Sequence, residues 1–135
     1  MHESEKRLNS VKYEVNKIVD IKQLKTKPNI IAVTKTFSLN KILPLIEGGH
    51  IHFGENKLQE AELKWAGVKN KYQNIQLHMI GKLQSNKIKK AVSLFDYIHS
   101  LDNEKMAKKI NQYNIELEKK TKLFIQINFG DENQK

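Results

Sequence analysis

Five short apolar segments recur along the chain, and longer stretches with apolar residues at helical spacing separate them. These two periods predict alternating strands and helices. The predicted strands cover residues 30–33, 50–55, 75–80, 97–100 and 123–128. Because the connections are too long for hairpins, we expect parallel βα units joined by right-handed crossovers. Residues 1–135 are therefore predicted to form a single α/β domain, either a doubly wound sheet or the first half of a (β/α)8 barrel.

Amphipathic stretches supply the helices of this pattern. Residues 4–25 predict a leading helix, with apolar positions at Leu8, Val11, Val15 and Ile18. The next helix follows Ser38, a plausible N-cap, and contains Pro44. Either this helix begins late, with the proline in its first turn, or it is kinked at the proline, and the sequence leaves both open.

The segment at residues 29–36, NIIAVTKT, places one lysine at the end of the first predicted strand. Strand alternation puts Ile31, Val33 and Lys35 on one face. Lysines at strand ends commonly extend into water, which is one interpretation of Lys35. The other is a lysine at the mouth of an apolar site, where its amine is free for Schiff-base chemistry with a carbonyl.

Composition narrows the possible functions. The chain has no cysteine, which excludes disulfides, thiolate metal sites and a cysteine nucleophile. The net charge of +9 is compatible with nucleic-acid binding, but Arg7 is the only arginine and the lysines alternate with glutamates as on ordinary solvated helix faces. The charged N-terminus and the absence of a membrane-length apolar run predict a soluble, cytoplasmic protein.

Four stretches carry a resemblance to a known family. They are AVTKT at residues 32–36, FGEN with Gln59 and Glu60 at 53–60, HMIGKLQSNK at 78–87, and IQIN with DEN at 125–133. In this order and spacing they resemble the YggS/PROSC family of pyridoxal phosphate homeostasis proteins. The fold of that family is similar to the N-terminal barrel domain of alanine racemase. The resemblance thus implies a TIM-type (β/α)8 barrel, of which this chain supplies a leading helix, five strands and the four helices between them.

The resemblance also implies pyridoxal 5′-phosphate (PLP) as cofactor, held as a Schiff base on Lys35. Asn56, His78 and Asn128 lie at or near the ends of predicted strands, where they could contact the cofactor ring or its linkage. The residues alone leave other roles open. Asn56 could cap the following helix, and His78 could be a core histidine with its hydrogen bonds satisfied.

Two other patterns are weaker indications of function. His50 and His52 alternate onto one strand face, but without a third ligand they do not predict a metal site. The basic run at residues 82–90 interleaves lysines with apolar residues, as a solvated amphipathic helix does.

The chain stops directly after its fifth predicted strand, so we expect it to be the N-terminal portion of the barrel. In the family, later loops hold the cofactor phosphate, and a half barrel would leave strand edges and apolar faces uncovered. A second chain or self-association could complete the barrel. The preferred function is a non-catalytic PLP carrier in PLP homeostasis. The alternatives are a PLP-dependent racemase-like enzyme and a truncated half barrel without cofactor function.

Overall fold

The structure is a computed structural model that describes residues 2–130, and within these residues helices and strands alternate. The helices are α1 (Glu3–Ile21), α2 (Leu39–Glu47), α3 (Leu58–Lys71), α4 (Ile88–Leu94) and α5 (Glu104–Glu116). The strands are β1 (Ala32–Val33), β2 (His52–Glu55), β3 (Gln76–Met79), β4 (Tyr97–Leu101) and β5 (Lys122–Ile125). A single 3-10 turn at Ser85–Lys87 precedes α4.

The strands form one parallel sheet in the order β1-β2-β3-β4-β5. A doubly wound sheet has a point where the strand order reverses, and the described sheet has none, so that alternative is excluded for residues 2–130. The register places Gly54 beside His78 and His78 beside Tyr97. The predicted α/β alternation with a parallel sheet is confirmed.

The leading helix ends before the predicted residue, and the structure bears on the two alternatives left open for α2. The leading helix ends at Ile21 rather than at residue 25, because Gln23 adopts a left-handed conformation (φ 51°) that stops it. Helix α2 begins at Leu39 and contains Pro44 in its interior, so it does not begin late. Ser38 occupies the N-cap position, but its side chain makes no capping hydrogen bond.

The two faces of the sheet differ in what covers them. On the helix-facing side, strand residues pack beneath the helices, as the ring contact between Phe53 and Trp65 shows (centroids 5.0 Å apart). The fully buried strand residues on this side are Phe53, Glu55, Leu77, Met79 and Ile98. The opposite face, called the inner face below, carries His52, His78, Tyr97, His99 and Phe124. The apolar core is therefore built on the helix-facing side.

Helix α1 packs mainly against α2 and has no buried residue. Leu8 is its contribution to the core, whereas Val11 and Ile18 are about half exposed. None of the helices within residues 2–130 combines the length and apolar content that crossing a membrane requires.

Candidate functional site

Lys35 lies in the turn that follows β1, between two threonines that are both tied to other elements. The Thr34 side chain is buried and donates a hydrogen bond to Oε1 of Glu55 (3.0 Å). The Thr36 N–H donates to Oε1 of Glu60 on α3 (2.6 Å). Lys35 itself is exposed, and within residues 2–130 its amine has no hydrogen bond or ion pair. The structure thus holds the backbone on both sides of a side chain that it leaves free.

The backbone at Thr36 has a left-handed conformation, with φ of 67°. Such a φ is unusual for a β-branched residue and costs on the order of 1–3 kcal/mol. The bond from its N–H to Glu60 stabilises the turn. The pKa of the Glu60 carboxyl is lowered, chiefly by the hydrogen bond from the Thr36 N–H and further by the adjacent Lys64. Glu60 is therefore a carboxylate, which accepts the Thr36 hydrogen bond.

Behind this turn lies a polar cluster on the helix-facing side, formed by Glu55 on β2 and by Lys64 and Trp65 on α3. Lys64 Nζ donates to Oε1 of Glu55 (2.6 Å) and to the carbonyl oxygen of Thr34 (2.7 Å). Trp65 Nε1 donates to the same Glu55 oxygen (2.9 Å). Lys64 is also 3.3 Å from Glu60, so the cluster reaches both threonines that flank Lys35. Because Glu55 is fully buried, water cannot solvate its carboxylate in place of Lys64.

His78 lies in the middle of a row of imidazoles on the inner face. Its Nε2 is hydrogen-bonded to Nδ1 of His52 (3.0 Å) and its Nδ1 to Nε2 of His99 (2.8 Å). The His78 ring also stacks on Tyr97, with centroids 4.2 Å apart and planes 8° from parallel. Burial, followed by the neighbouring His99 and His52, lowers the pKa of His78 to about 4. Burial also lowers the pKa of His52 and of His99, so the row is uncharged at neutral pH.

Asn56 follows β2 and is partly buried against the loop between β3 and α4. A Cβ on Gly81 would overlap the carbonyl oxygen of Asn56, so only glycine allows this loop to pass so close. Asn56 lines a cleft of about 630 Å³ together with Leu58 and Leu63. The N-cap position of helix α3 is occupied by Lys57 and not by Asn56, so the alternative N-cap role for Asn56 is not observed.

Asn128 follows β5 and lines a different cleft, of about 790 Å³, at the ends of β3, β4 and β5. Lys82, Leu83 and Gln84 line both clefts, so the loop between β3 and α4 forms the wall between them. Lys35 lines neither cleft. The four residues predicted for the site are thus distributed between an exposed turn, the buried histidine row and two clefts, and their shared role remains a prediction.

The weaker indications of function have ordinary structural explanations. The His50 ring is buried and its Nε2 bonds to the carbonyl oxygen of His52 (2.8 Å), so the two histidines do not face a common ligand. Within the described part of the chain, no group of three or more histidine, aspartate or glutamate side chains is arranged to hold a metal ion. In the run at residues 82–90, Lys89 pairs with Glu116 on the surface (2.9 Å). Residues 131–133, the last part of the family resemblance, lie outside the described residues.

Sequence reasoning missed the residues that position the lysine turn. Glu55 and Glu60 belong to the stretches that carry the resemblance, but nothing in their spacing shows that they bond across to Thr34 and Thr36. The spacing of Glu60 and Lys64, four residues apart on one helix, indicates an ion pair, although not its burial. His99 alternates with Tyr97 on β4, and only the register brings it beside His78.

Comparison with known proteins agrees with this architecture. The family model described as "Alanine racemase, N-terminal domain" matches residues 7–133. A pyridoxal phosphate homeostasis protein of Buchnera aphidicola subsp. Acyrthosiphon pisum is 42% identical over 102 residues, covering 76% of this chain and 50% of that protein. A protein of the same name from Synechocystis sp. PCC 6803 is 42% identical over 106 residues, covering 78% of this chain and 48% of its own length. The chain therefore spans about half the length of the curated relatives it matches.

Solved structures give the same relationship in three dimensions. PipY of Synechococcus elongatus PCC7942, solved without PLP, superposes with a TM-score of 0.75 at 33% identity, covering 90% of this chain and 57% of PipY. The structure of PipY with PLP bound superposes with a TM-score of 0.72 at 32% identity, covering 87% of this chain and 55% of PipY.

Proposed function

Because the chain belongs to the alanine racemase N-terminal domain family, as a member of its YggS/PROSC group, we propose that it binds PLP and takes part in intracellular PLP homeostasis. In this proposal the cofactor is held as a Schiff base on Lys35. We also propose that the protein is cytoplasmic, since the absence of cysteine is compatible with a reducing compartment.

The observation that carries the proposal is the geometry around Lys35. A buried threonine and a turn tied to Glu60 fix the backbone on either side, while the lysine amine has no partner within residues 2–130. A lysine that served only as a solvated strand end would need neither anchor. When bound, PLP supplies an aldehyde that condenses with an amine and a pyridine ring that withdraws electrons. The unpaired amine of Lys35, on its anchored turn, is the kind of amine with which the PLP aldehyde condenses.

The other predicted residues fit unequal roles. Both ring nitrogens of His78 are already used by His52 and His99, so its role in the proposal is to pack beneath the site rather than to bond the cofactor. Asn56, beside Gly81, can offer its amide to a ligand at the end of β2. Asn128 is the most distant in sequence and lines a separate cleft, so its contribution is the weakest part of the proposal.

The proposal includes a barrel of which residues 1–135 form the first part. Sequential parallel strands with all crossovers on one side are the arrangement that closes into a (β/α)8 barrel. Strands β1 and β5 are the edges of the described sheet, and further strands would continue the sheet there. Those strands could come from a longer chain, a second chain or self-association.

The test is selective labelling of Lys35. The purified chain is mixed with PLP, reduced with borohydride and digested, and the modified lysines are mapped by mass spectrometry. We expect stoichiometric modification at Lys35, because its amine is unpaired and its turn is held in place. The variant Lys35→Arg should lose this labelling.

Lys57 is the matched control, because it is also exposed and also follows a strand. Lys57→Arg should leave the labelling of Lys35 unchanged. Modification spread over the many exposed lysines, with no preference for Lys35, would contradict the assignment of the cofactor to this residue.

A further inference from the structure

We propose that Lys119, in the turn between α5 and β5, is a reactive amine separate from Lys35 and a site of acylation by small acyl phosphates. The turn leads into β5, so Lys119 lies at the edge of the sheet where the parallel strands begin. Lys35 follows β1 and lies at the opposite edge, where the strands end. The acylation of Lys119 therefore does not depend on the cofactor attachment proposed above.

The backbone of the turn that carries Lys119 is held in place. Glu118 has a left-handed conformation (φ 52°), which redirects the chain directly before Lys119. The Lys119 N–H donates to the carbonyl oxygen of Asn114 (2.8 Å), and the Thr121 N–H donates to Oδ1 of the same asparagine (3.1 Å). Asn114 thus fixes the turn at two points, which gives the Lys119 side chain a defined position beside the end of α4.

The Lys119 amine lies at the C-terminal end of α4 without an ion-pair partner within residues 2–130. Its hydrogen bond goes to the carbonyl oxygen of Ser93, at the long distance of 3.4 Å. The nearest carboxylate that acts on it, Asp96, already accepts through Oδ2 from Lys69 (2.7 Å) and from the N–H of Leu77 (2.8 Å). The charged form of Lys119 is therefore weakly stabilised and lies close to a second ammonium group.

Partial burial and the neighbouring cation favour the neutral form of this amine. The pKa of Lys119 is lowered, first by burial and then by Lys69, against an opposing effect of Asp96. A lysine that is desolvated next to another cation is more nucleophilic at neutral pH than a solvated one. Lys120, the next residue along the chain, is exposed and lacks this burial.

A cleft beside the amine provides room for an acyl donor. Its volume is about 430 Å³, and its charged lining consists of Lys119, Lys120, Lys122, Asp96 and Glu118. The net positive charge of this lining favours an anionic donor, such as an acyl phosphate. In the reaction the neutral Lys119 nitrogen attacks the acyl carbonyl carbon and forms an amide bond. The bond from that carbon to the phosphate oxygen breaks, and the phosphate leaves with the amine proton as hydrogen phosphate.

The experiment treats the full chain with acetyl phosphate and follows the acetylation of each lysine by tandem mass spectrometry at low conversion. Lys120 is the matched control within the same molecule, because it lines the same cleft but is exposed. We expect Lys119 to react at least about fivefold faster than Lys120 at neutral pH, and the midpoint of its pH–rate profile to lie lower. Equal rates, or profiles with the same midpoint, would overturn the proposal.

A variant tests whether the neighbouring cation activates Lys119. Lys69→Met removes this cation and leaves Asp96 available to Lys119, so the Lys119 rate should fall by about threefold or more. The Lys120 rate should change by less than about twofold. Lys108→Met, which removes a surface lysine of α5, should leave both rates unchanged. An equal fall at Lys119 and Lys120, or no fall at Lys119, would contradict the proposal.

Circular dichroism checks that each variant keeps its fold. The pH–rate profiles of the parent chain test the proposal independently of Lys69→Met, so it can still be refuted if that variant does not fold.

Discussion

Strand β2, inside the sheet, and strand β5, at its edge, have environments opposite to what their apolar content would suggest. Strand β5 reads KLFI, with three apolar residues of four, and every one of its residues is exposed. Strand β2 reads HFGE, with one large apolar residue, and three of its four residues are buried. Apolar content therefore does not decide burial in this sheet. What decides it is whether a strand has a neighbour on both sides and a helix above it.

The same contrast applies to charged groups. Glu55 on β2 is completely buried, with Lys64 8% exposed beside it, whereas the ion pair between Lys108 and Glu104 on α5 lies almost entirely in water. In the interior an ion pair must be complete, because a charge left alone has no solvent to stabilise it. At the surface the same pair contributes little.

Breaking the interior ion pair should have the largest effect. Lys64→Met leaves the buried Glu55 carboxylate without its partner and should lower the free energy of unfolding by about 3–5 kcal/mol. Lys108→Met, the surface control, should lower it by less than about 1 kcal/mol. Urea unfolding followed by circular dichroism measures both. Similar losses in the two variants would show that the Glu55 cluster is not dry in solution.

Two isoleucines on adjacent strands test the contrast in apolar burial. Ile98 on β4 is fully buried, and Ile98→Ala should cost about 2–5 kcal/mol of unfolding free energy because it leaves a cavity. Ile125 on β5 is 74% exposed, and Ile125→Ala should cost no more than about 0.5 kcal/mol. The same urea titration measures both, and Ile98→Val replaces the alanine variant if that does not fold. A large cost at Ile125 that grows with protein concentration would instead show that another copy covers β5 in solution.

The histidine row should make stability depend on pH. The pKa of His78 falls from 6.5 to about 4 on folding through burial, then through His99 and His52, against a smaller opposing effect of Asp96. The folded state thus favours neutral His78, so its contribution is fully present above pH 6.5 and is lost as the pH falls towards 4. Between pH 7 and pH 5 this residue alone should remove about 2 kcal/mol of unfolding free energy.

His78→Gln is the variant that isolates this effect, because glutamine stays neutral throughout. Its unfolding free energy, measured by urea titration at both pH values, should fall by about 2 kcal/mol less than that of the parent chain. Parallel pH profiles for the two proteins would mean that His78 is not held neutral by its position in the row.

Some features of this protein follow from sequence alone. The alternation of strand-like and helix-like apolar spacing along the chain was sufficient to predict a parallel α/β sheet, because strands and helices place apolar residues at different intervals. The position of Lys35 at the end of the first strand followed from Pro28 and the β-branched run after it. The resemblance added the family, because its four stretches occur in order over most of the chain.

Other features depend on contacts between residues far apart in the chain. The histidine row exists because the register pairs His78 with Tyr97, which brings the ring of His99, two residues further along β4, within hydrogen-bond distance of His78. The anchors of the lysine turn exist because α3 packs against the end of β1. The cleft lined by Asn128 forms where the segments after β3, β4 and β5 meet. The spacing of apolar residues within one segment does not specify the register between strands or the packing between elements. These arrangements therefore appear only in the tertiary structure, which brings the strands and helices together.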